Sequence, residues 1–226
     1  MSQSTSRQSD LVEAAKRYAE AFPGSPAQEY VDHRGLGEVA SRFKLGYVAS
    51  AATGHERYAG RLAIPYLRPA GGIHSVATIR FRCITDACTK EPDGQWREKE
   101  VHEGHGKYLG LPGDPPRLFN TAALINPSPH VGLTEGELDA MSSELAGLPA
   151  AGVPGVSAWK EHFTPAFKGF DKTFVLGDGD EAGRNFADKM SEILENGIPC
   201  AMPDGLDVNK FINQRGTAAF RERVGV

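Results

Sequence analysis

The stretch FVLGDGDEAGRN, Phe174 to Asn185, constrains this chain more than any other. A strand-like apolar run stops at two aspartates one residue apart and then opens into a helical pattern. Like charges about 4 Å apart repel by roughly 4 kcal/mol even at an effective dielectric of 20. Asp178, Asp180 and Glu181 therefore either splay into water or share something positive. Glycines at 136, 177, 179 and 183 let the backbone turn sharply beside the acids.

The surrounding pattern says what kind of sheet carries that loop. HVGLT reads as a strand, and EGELDAMSSELAGL as a helix with Leu138, Met141 and Leu145 on one face. KTFVLG is the next strand. EAGRNFADKMSEILENG is a helix with Ala182, Phe186, Met190 and Ile193 inward and Gly197 as its C-cap. IPCAMP is a further strand, and Asp207 can N-cap VNKFINQ. Strands alternating with helices predict a mainly parallel, Rossmann-like α/β sheet flanked by helices.

Upstream the pattern is mixed. DLVEAAKRYAEAF has helical spacing, and AQEYVDHRGLGEVASRFKLGYV reads as two short helices interrupted by Gly35 and Gly37. RLAIPYL and GIHSVATIRFRCI look like strands joined by a turn, followed by a polar excursion and the rigid loop LPGDPP. NPSP at 126–129 marks the expected boundary. The expected organisation is a disordered tail over 1–10, a mixed α+β basic subdomain over 11–127, the α/β domain over 128–215, and a C-terminal helix or tail over 216–226.

The 226 residues carry a net charge of −4 that hides an asymmetry. From Arg34 to Arg117, 13 basic residues face 9 acidic ones, a balance of +4; from Leu118 to Asp207, 5 face 14, a balance of −9. One half is suited to an anionic partner and the other to cations. No apolar run approaches the ~20 residues that cross a bilayer, and the N-terminus has no apolar signal core. Three cysteines, an odd number, argue against a disulfide scaffold. A cytoplasmic protein without membrane contact is expected. No Walker A lysine and no serine or cysteine nucleophile motif stands out.

In an open parallel sheet the functional crevice lies at the carboxyl ends of the strands. Glu135 follows HVGLT, Asp178 and Asp180 follow KTFVLG, and Asp207 comes shortly after IPCAMP. Asp139 lies one helical turn beyond Glu135. Carboxylates without nitrogen or sulfur ligands suit a hard cation such as Mg²⁺ or Mn²⁺. A lone D-x-D after a strand is more often a solvated turn and helix cap. DGDEAG also imitates an EF-hand loop, but Ala182 and Lys189 fall where ligands are needed. Chemistry becomes the better reading because E-G-x-x-D and D-x-D-x-A-G end successive strands.

Other signals are weaker. Cys83, Cys88, His102 and His105 form C-x4-C…H-x2-H, with the histidines closer together than in most zinc fingers. Surface histidines and a half-buried Cys83 are the plainer reading, so no zinc is expected. Trp96 beside Arg97 and Lys99 could stack on a base, but a tryptophan packed against the hairpin is the plainer reading.

TEGELDA resembles the glutamate motif, and LGDGDEAGR the D-x-D motif, of TOPRIM domains. The basic half is similar to the RNA-polymerase core of bacterial DnaG-type primases. AQEYVDHRGLGEVASRFKLGYV resembles its opening segment, RLAIPYLRPAGGIHSVATIR its arginine strands, and GHGKYLGLPGDPPRLFN its lysine-tyrosine-leucine motif. The resemblance covers roughly residues 11 to 215. It implies a TOPRIM domain at 128–215 and a DNA primase that makes short RNA primers from ribonucleoside triphosphates on single-stranded DNA. Glu135, Asp178 and Asp180 would be catalytic, binding two or more Mg²⁺ or Mn²⁺ ions, supported by Asp139 and Asp207. Arg80, or its neighbour Arg82, would be the active-site arginine; Lys107 and Tyr108 would contact nucleotide or template, and Arg34 the basic surface.

Asn209 and Thr121 depart from the family, standing where an aspartate and a lysine are usual. No C-x-x-C precedes residue 30, which points to a minimal core without the family's zinc-binding module or helicase-binding domain. Such a core would borrow template reading from a separate zinc-binding chain and dock a replicative helicase, in bacterial, phage or plasmid replication. Two rivals remain: a TOPRIM metal-dependent nuclease, and a non-catalytic replisome or DNA-binding module, which the two departures favour.

Overall fold

The computed structural model describes the backbone of residues 2–226 and the side chains of 7–155 and 157–226. The chain divides into two units, one of Met1–His33 and Ala40–Asp114, the other of Arg34–Val39 and Pro115–Val226. The break thus lies ahead of the NPSP segment, because Leu118 and Ala123 already pack into the second unit's core.

The first unit contains α1 (Ser2–Glu20) and α2 (Pro26–His33), followed after α3 (Gly37–Ala40) by β1 (Gly46–Tyr47), β2 (Leu62–Leu67), β3 (Val76–Arg82), α4 (Asp86–Thr89) and β4 (Tyr108–Leu109). The strands form an antiparallel sheet in the order β1-β2-β3-β4. Leu11, Ala14, Ala15 and Tyr18 recur at helical spacing along α1 and pack with Ala63, Val76, Ile79 and Phe81 from the sheet. The tail expected over 1–10 is instead helical from Ser2 onward, Met1 lying outside the described residues. No glycine or proline interrupts the chain there, so each added residue gains a hydrogen bond on a nucleus already formed. Arg7 adds an ion pair to Asp114.

At the end of β3 sits a buried ion pair. The Arg82 side chain is 2% exposed, and its Nη2 donates to both Glu100 oxygens at 2.8 Å. Its Nε donates to the Tyr30 hydroxyl at 2.7 Å, its Nη1 donates to the Tyr108 hydroxyl, and Tyr30 donates on to Glu100 at 2.7 Å. Burial alone would push the Glu100 carboxyl up, but the Arg82 and Lys107 charges hold it well below the usual range.

The second unit contains β5 (His130–Thr134), α5 (Glu137–Leu145), β6 (Ala150–Gly152), β7 (Lys172–Leu176), α6 (Glu181–Ile193), β8 (Gly197–Pro199) and α7 (Val208–Val224). Its sheet has the order β6-β5-β7-β8, and every pairing is parallel. β5 and β7 are buried along four of their five residues, mostly apolar ones with one buried threonine each, Thr134 and Thr173, as suits strands covered on both faces. On α6 the inward stripe is Gly183, Phe186, Ala187 and Met190, while Ala182 and Ile193 are exposed. The expected stripe therefore holds only at Phe186 and Met190. Gly197 opens β8 instead of capping α6, which ends at Ile193 with Leu194 as its C-cap. The segment 216–226 is no loose tail: Gly216 breaks the helical path of α7 at φ 85°, and Phe220 and Val224 then bury against Phe174 and Leu176. No helix among the described residues is long and apolar enough to cross a membrane.

Removing one partner of a buried ion pair leaves the other charge uncompensated, so Glu100→Ala should destabilise the protein by about 3–5 kcal/mol in denaturant unfolding. Arg82→Leu combined with Glu100→Leu should lose less than Glu100→Ala alone. Because the Glu100 carboxyl is held down in the folded state, its contribution is present above about pH 4.3 and is lost as pH falls further. Acid titration of stability in wild type and Glu100→Gln checks the sign.

Candidate metal centre

The order β6-β5-β7-β8 reverses direction between β5 and β7, since β6 lies on one side of β5 and the chain then crosses to the other side to enter β7. Ligands in parallel sheets bind at such a switch, beyond the carboxyl ends of the strands. The register pairs Thr134 with Leu176, so the residues that follow them emerge side by side. Glu135 and Asp178 are therefore neighbours, and the Asp178 amide donates to Glu135 Oε1 at 3.1 Å.

The remaining acids arrive on helix starts and loops. Asp180 N-caps α6, accepting from the Gly183 amide at 2.8 Å. Asp207 N-caps α7, accepting from the Lys210 amide at 2.6 Å. Its loop is stitched to the DGD turn: the Gly179 amide donates to Leu206 O at 2.7 Å and the Gly205 amide to Gly179 O at 3.0 Å. Asp139, in the first turn of α5, accepts from the Asn209 amide at 3.0 Å.

Two glycines are set by close approach. A Cβ on Gly183 would lie 2.3 Å from both the amide nitrogen and carbonyl oxygen of Asp178, and one on Gly179 would lie 1.8 Å from Pro203 O. No side chain fits at either place without moving backbone.

The electrostatics follow from this crowding. Burial, then the charges of Asp139, Glu135, Asp207 and Asp180, push the Asp178 carboxyl up to about 8. Burial and the Asp180 charge push Glu135 up as well, against the pull of the Asp178 amide. Asp178 Oδ1 is buried and has no hydrogen-bond partner. An acceptor left bare among carboxylates, in a site with only oxygen donors, fits a hard divalent cation.

Arg34 belongs to this acidic unit and not to a basic surface. Its Nη2 lies 3.5 Å from Asp207 Oδ2 and its Nε donates to Asn209 Oδ1 at 2.5 Å. Asn209 Nδ2 donates in turn to Arg34 O and Ser142 Oγ, both at 2.8 Å. An aspartate at 209 would lack both of those donors. The departure at 209 therefore has a local reason: its side chain ties Arg34 to Ser142 in the middle of α5.

Of the cationic residues expected in the first unit, Arg82 is sealed in its pair with Glu100 and cannot reach nucleic acid. Arg80, two residues earlier on β3 and only partly buried, has its guanidinium 5.0 Å from the Tyr108 ring centre. Lys107 lies 3.6 Å from Glu100 and is 47% exposed. Trp96 stacks on His33 at 4.2 Å and carries Lys90 over its ring, so it packs internally. Glu100 was invisible in sequence, one acid in a charged run; only its burial marks it.

Cys83, Cys88, His102 and His105, expected as surface histidines and a half-buried Cys83 with no zinc, converge with all four donor atoms within 4.8 Å of one another. Burial pushes the Cys83 thiol up, but hydrogen bonds involving Thr85, His105 and Cys88 bring it down to about 6. Burial and the neighbouring Cys83 push Cys88 up to about 11.

A Toprim-like family model matches residues 132–212, the segment that carries Glu135, Asp139, Asp178, Asp180 and Asp207. The Gene 57 protein of Mycobacterium phage D29 is 41% identical over 168 residues, which are 74% of this chain and 99% of that protein. The DNA primase of Pasteurella multocida (strain Pm70) is 27% identical over 87% of this chain, which spans only 38% of that primase. Among solved structures, the RNA polymerase domain of Mycobacterium tuberculosis primase DnaG matches over 100% of this chain and 84% of its own, with a TM-score of 0.76 and 20% identity. At that identity the likeness carries the fold, a mixed α/β arrangement of an antiparallel and a helix-flanked parallel sheet.

The native state holds on to the Asp178 proton up to about pH 8, whereas an unfolded aspartate releases it near 3.9. Folded protein thus binds more protons across that interval and loses stability as pH rises through it. Metal-free protein should melt at falling temperatures from about pH 5 to about pH 8, and Asp178→Asn should flatten the slope. Added Mg²⁺ should restore most at the upper end, as read by thermal unfolding with chelator or metal. Gly183→Ala should abolish the Mg²⁺ stabilisation by displacing the Asp178 backbone.

Proposed function

This chain belongs to one family with the Gene 57 protein of Mycobacterium phage D29 and has the Toprim-like domain and fold of a DnaG-type primase core, and from that premise we propose that it is a DNA primase. It joins ribonucleoside triphosphates into short RNA primers on single-stranded DNA. The observation that carries this reading is the bare, buried Asp178 Oδ1 amid four other carboxylates at the switch between β5 and β7.

Glu135, Asp178 and Asp180 would hold the divalent cations, Mg²⁺ or Mn²⁺, with Asp139 and Asp207 beside them. Bound there, such ions neutralise triphosphate charge and make a sugar hydroxyl a better nucleophile. The chain's own part is orientation. The Asp178 amide fixes the Glu135 carboxylate, the α6 start fixes Asp180, and the α7 start fixes Asp207. Arg34, held by Asn209, limits the negative charge at the Asp207 end. In the first unit, Arg80, Lys107 and Tyr108 would meet nucleotide or template phosphates, and Tyr108 is steadied by the Arg82 side chain beneath it.

The non-catalytic reading loses one of its two supports, because Asn209 is explained by its hydrogen bonds and leaves all five acids in place. A replicative helicase and a separate template-reading chain would complete the system.

Glu135→Ala and Asp178→Ala should each cut primer synthesis by at least about 100-fold while the protein stays folded. Labelled ribonucleotides on mixed-sequence single-stranded DNA read the loss directly. Unimpaired synthesis in both variants overturns the assignment, and nucleotide-independent cleavage of labelled DNA would move it to a nuclease.

A further inference from the structure

We propose that Cys83, Cys88, His102 and His105 bind one structural zinc ion, separate in chemistry from the all-oxygen centre of the Toprim-like domain. Cys83 follows β3, Cys88 lies in α4, and the two histidines sit on the loop leading to β4. Their donor atoms all fall within 4.8 Å of one another. A tetrahedral zinc with bonds of about 2.3 Å to sulfur and about 2.0 Å to nitrogen sets its ligand atoms about 3.3–3.8 Å apart. His105 Nε2 lies 3.3 Å from Cys83 Sγ and 3.5 Å from Cys88 Sγ.

The histidines are prepared as ligands from behind. His105 Nδ1 is 3.0 Å from Glu103 O; a carbonyl only accepts, so Nδ1 carries the proton and Nε2 keeps its lone pair. His102 is turned the other way round. Its Nε2 lies 3.0 Å from Glu100 Oε2, a carboxylate already accepting from Arg82, so that nitrogen donates and Nδ1 holds the lone pair. The His102 side chain is 9% exposed, and its Nδ1 is buried with no hydrogen-bond partner. Carboxylates and carbonyls behind metal-bound imidazoles fix tautomer and ring orientation in this way.

The ion would tie the end of β3 to the loop that returns to β4. Cys83 N already donates to Lys107 O at 2.9 Å, so the same clamp sets the backbone of Lys107 and the start of β4 at Tyr108. The short H-x2-H spacing is accommodated because His102 coordinates through Nδ1 and His105 through Nε2, letting two residues close in sequence reach one point from different ring edges.

Full-length protein purified under reducing conditions without chelator should contain about one zinc per chain by elemental analysis. Refolding with Co²⁺ should give the intense visible bands and thiolate charge-transfer absorption of a tetrahedral sulfur-nitrogen site, a readout on the unmodified sequence. Cys88→Ser and His102→Gln should each lower zinc retention at least about 10-fold, whereas Asp178→Asn should retain the full complement. Zinc-free protein that also gives no cobalt bands overturns the proposal. So does a Cys83–Cys88 disulfide recovered from protein made in a reducing cytoplasm.

Discussion

The parallel pairing of β5 with β7 is the constraint on which the acidic centre depends. Matching Thr134 to Leu176 leaves Glu135 and Asp178 no choice but to emerge together. Two carboxylates placed so close, in a half-buried crevice with three more around them, raise the cost of each other's ionisation. The fold offsets this locally, through backbone amides given to Glu135, Asp180 and Asp207 and through Arg34 on Asp207. Asp178 Oδ1 receives no hydrogen bond, and that gap is where the proposed cation would sit.

The first unit solves the opposite problem, a buried positive charge. Arg82 is held by Glu100, Tyr30 and Tyr108, so that its donors are matched to acceptors instead of being left in an apolar interior. Charge-assisted, two-pronged bonds of this kind are geometrically demanding and fix the groups around them. The same Glu100 carboxylate meets His102 and Lys107, so one acid connects the strand end, the cysteine-histidine cluster and the residues proposed to meet nucleotide. The cluster and the ion pair are two parts of one scaffold.

Much was legible in advance. The apolar runs HVGLT and KTFVL became adjacent buried strands, and the acids named after them sit where parallel topology puts them. The misses share a cause. The α6 stripe was placed one residue off at its ends because Ala182 and Ile193 are apolar but lie outside the arc that faces the sheet. Residues 1–10 were expected as a disordered tail, yet nothing in the sequence from Ser2 to Asp10 breaks a helix. Arg80 and Arg82 share one face of β3 and look alike, but Arg82 is buried in a two-pronged bond to Glu100 whereas Arg80 is only partly buried.

What the sequence by itself determined is the local grammar: which segments alternate, which acids follow strands, where glycine must stand for a backbone to pass close by. Those depend on neighbours within a turn or a strand length, and the chain spells them out. Tertiary structure alone decided which charges are buried, that Arg34 and Asn209 grip each other across the sequence, and that two cysteines and two histidines share one point. Such partnerships join residues far apart along the chain. Their geometry is set by how whole elements pack, which no short window of sequence contains.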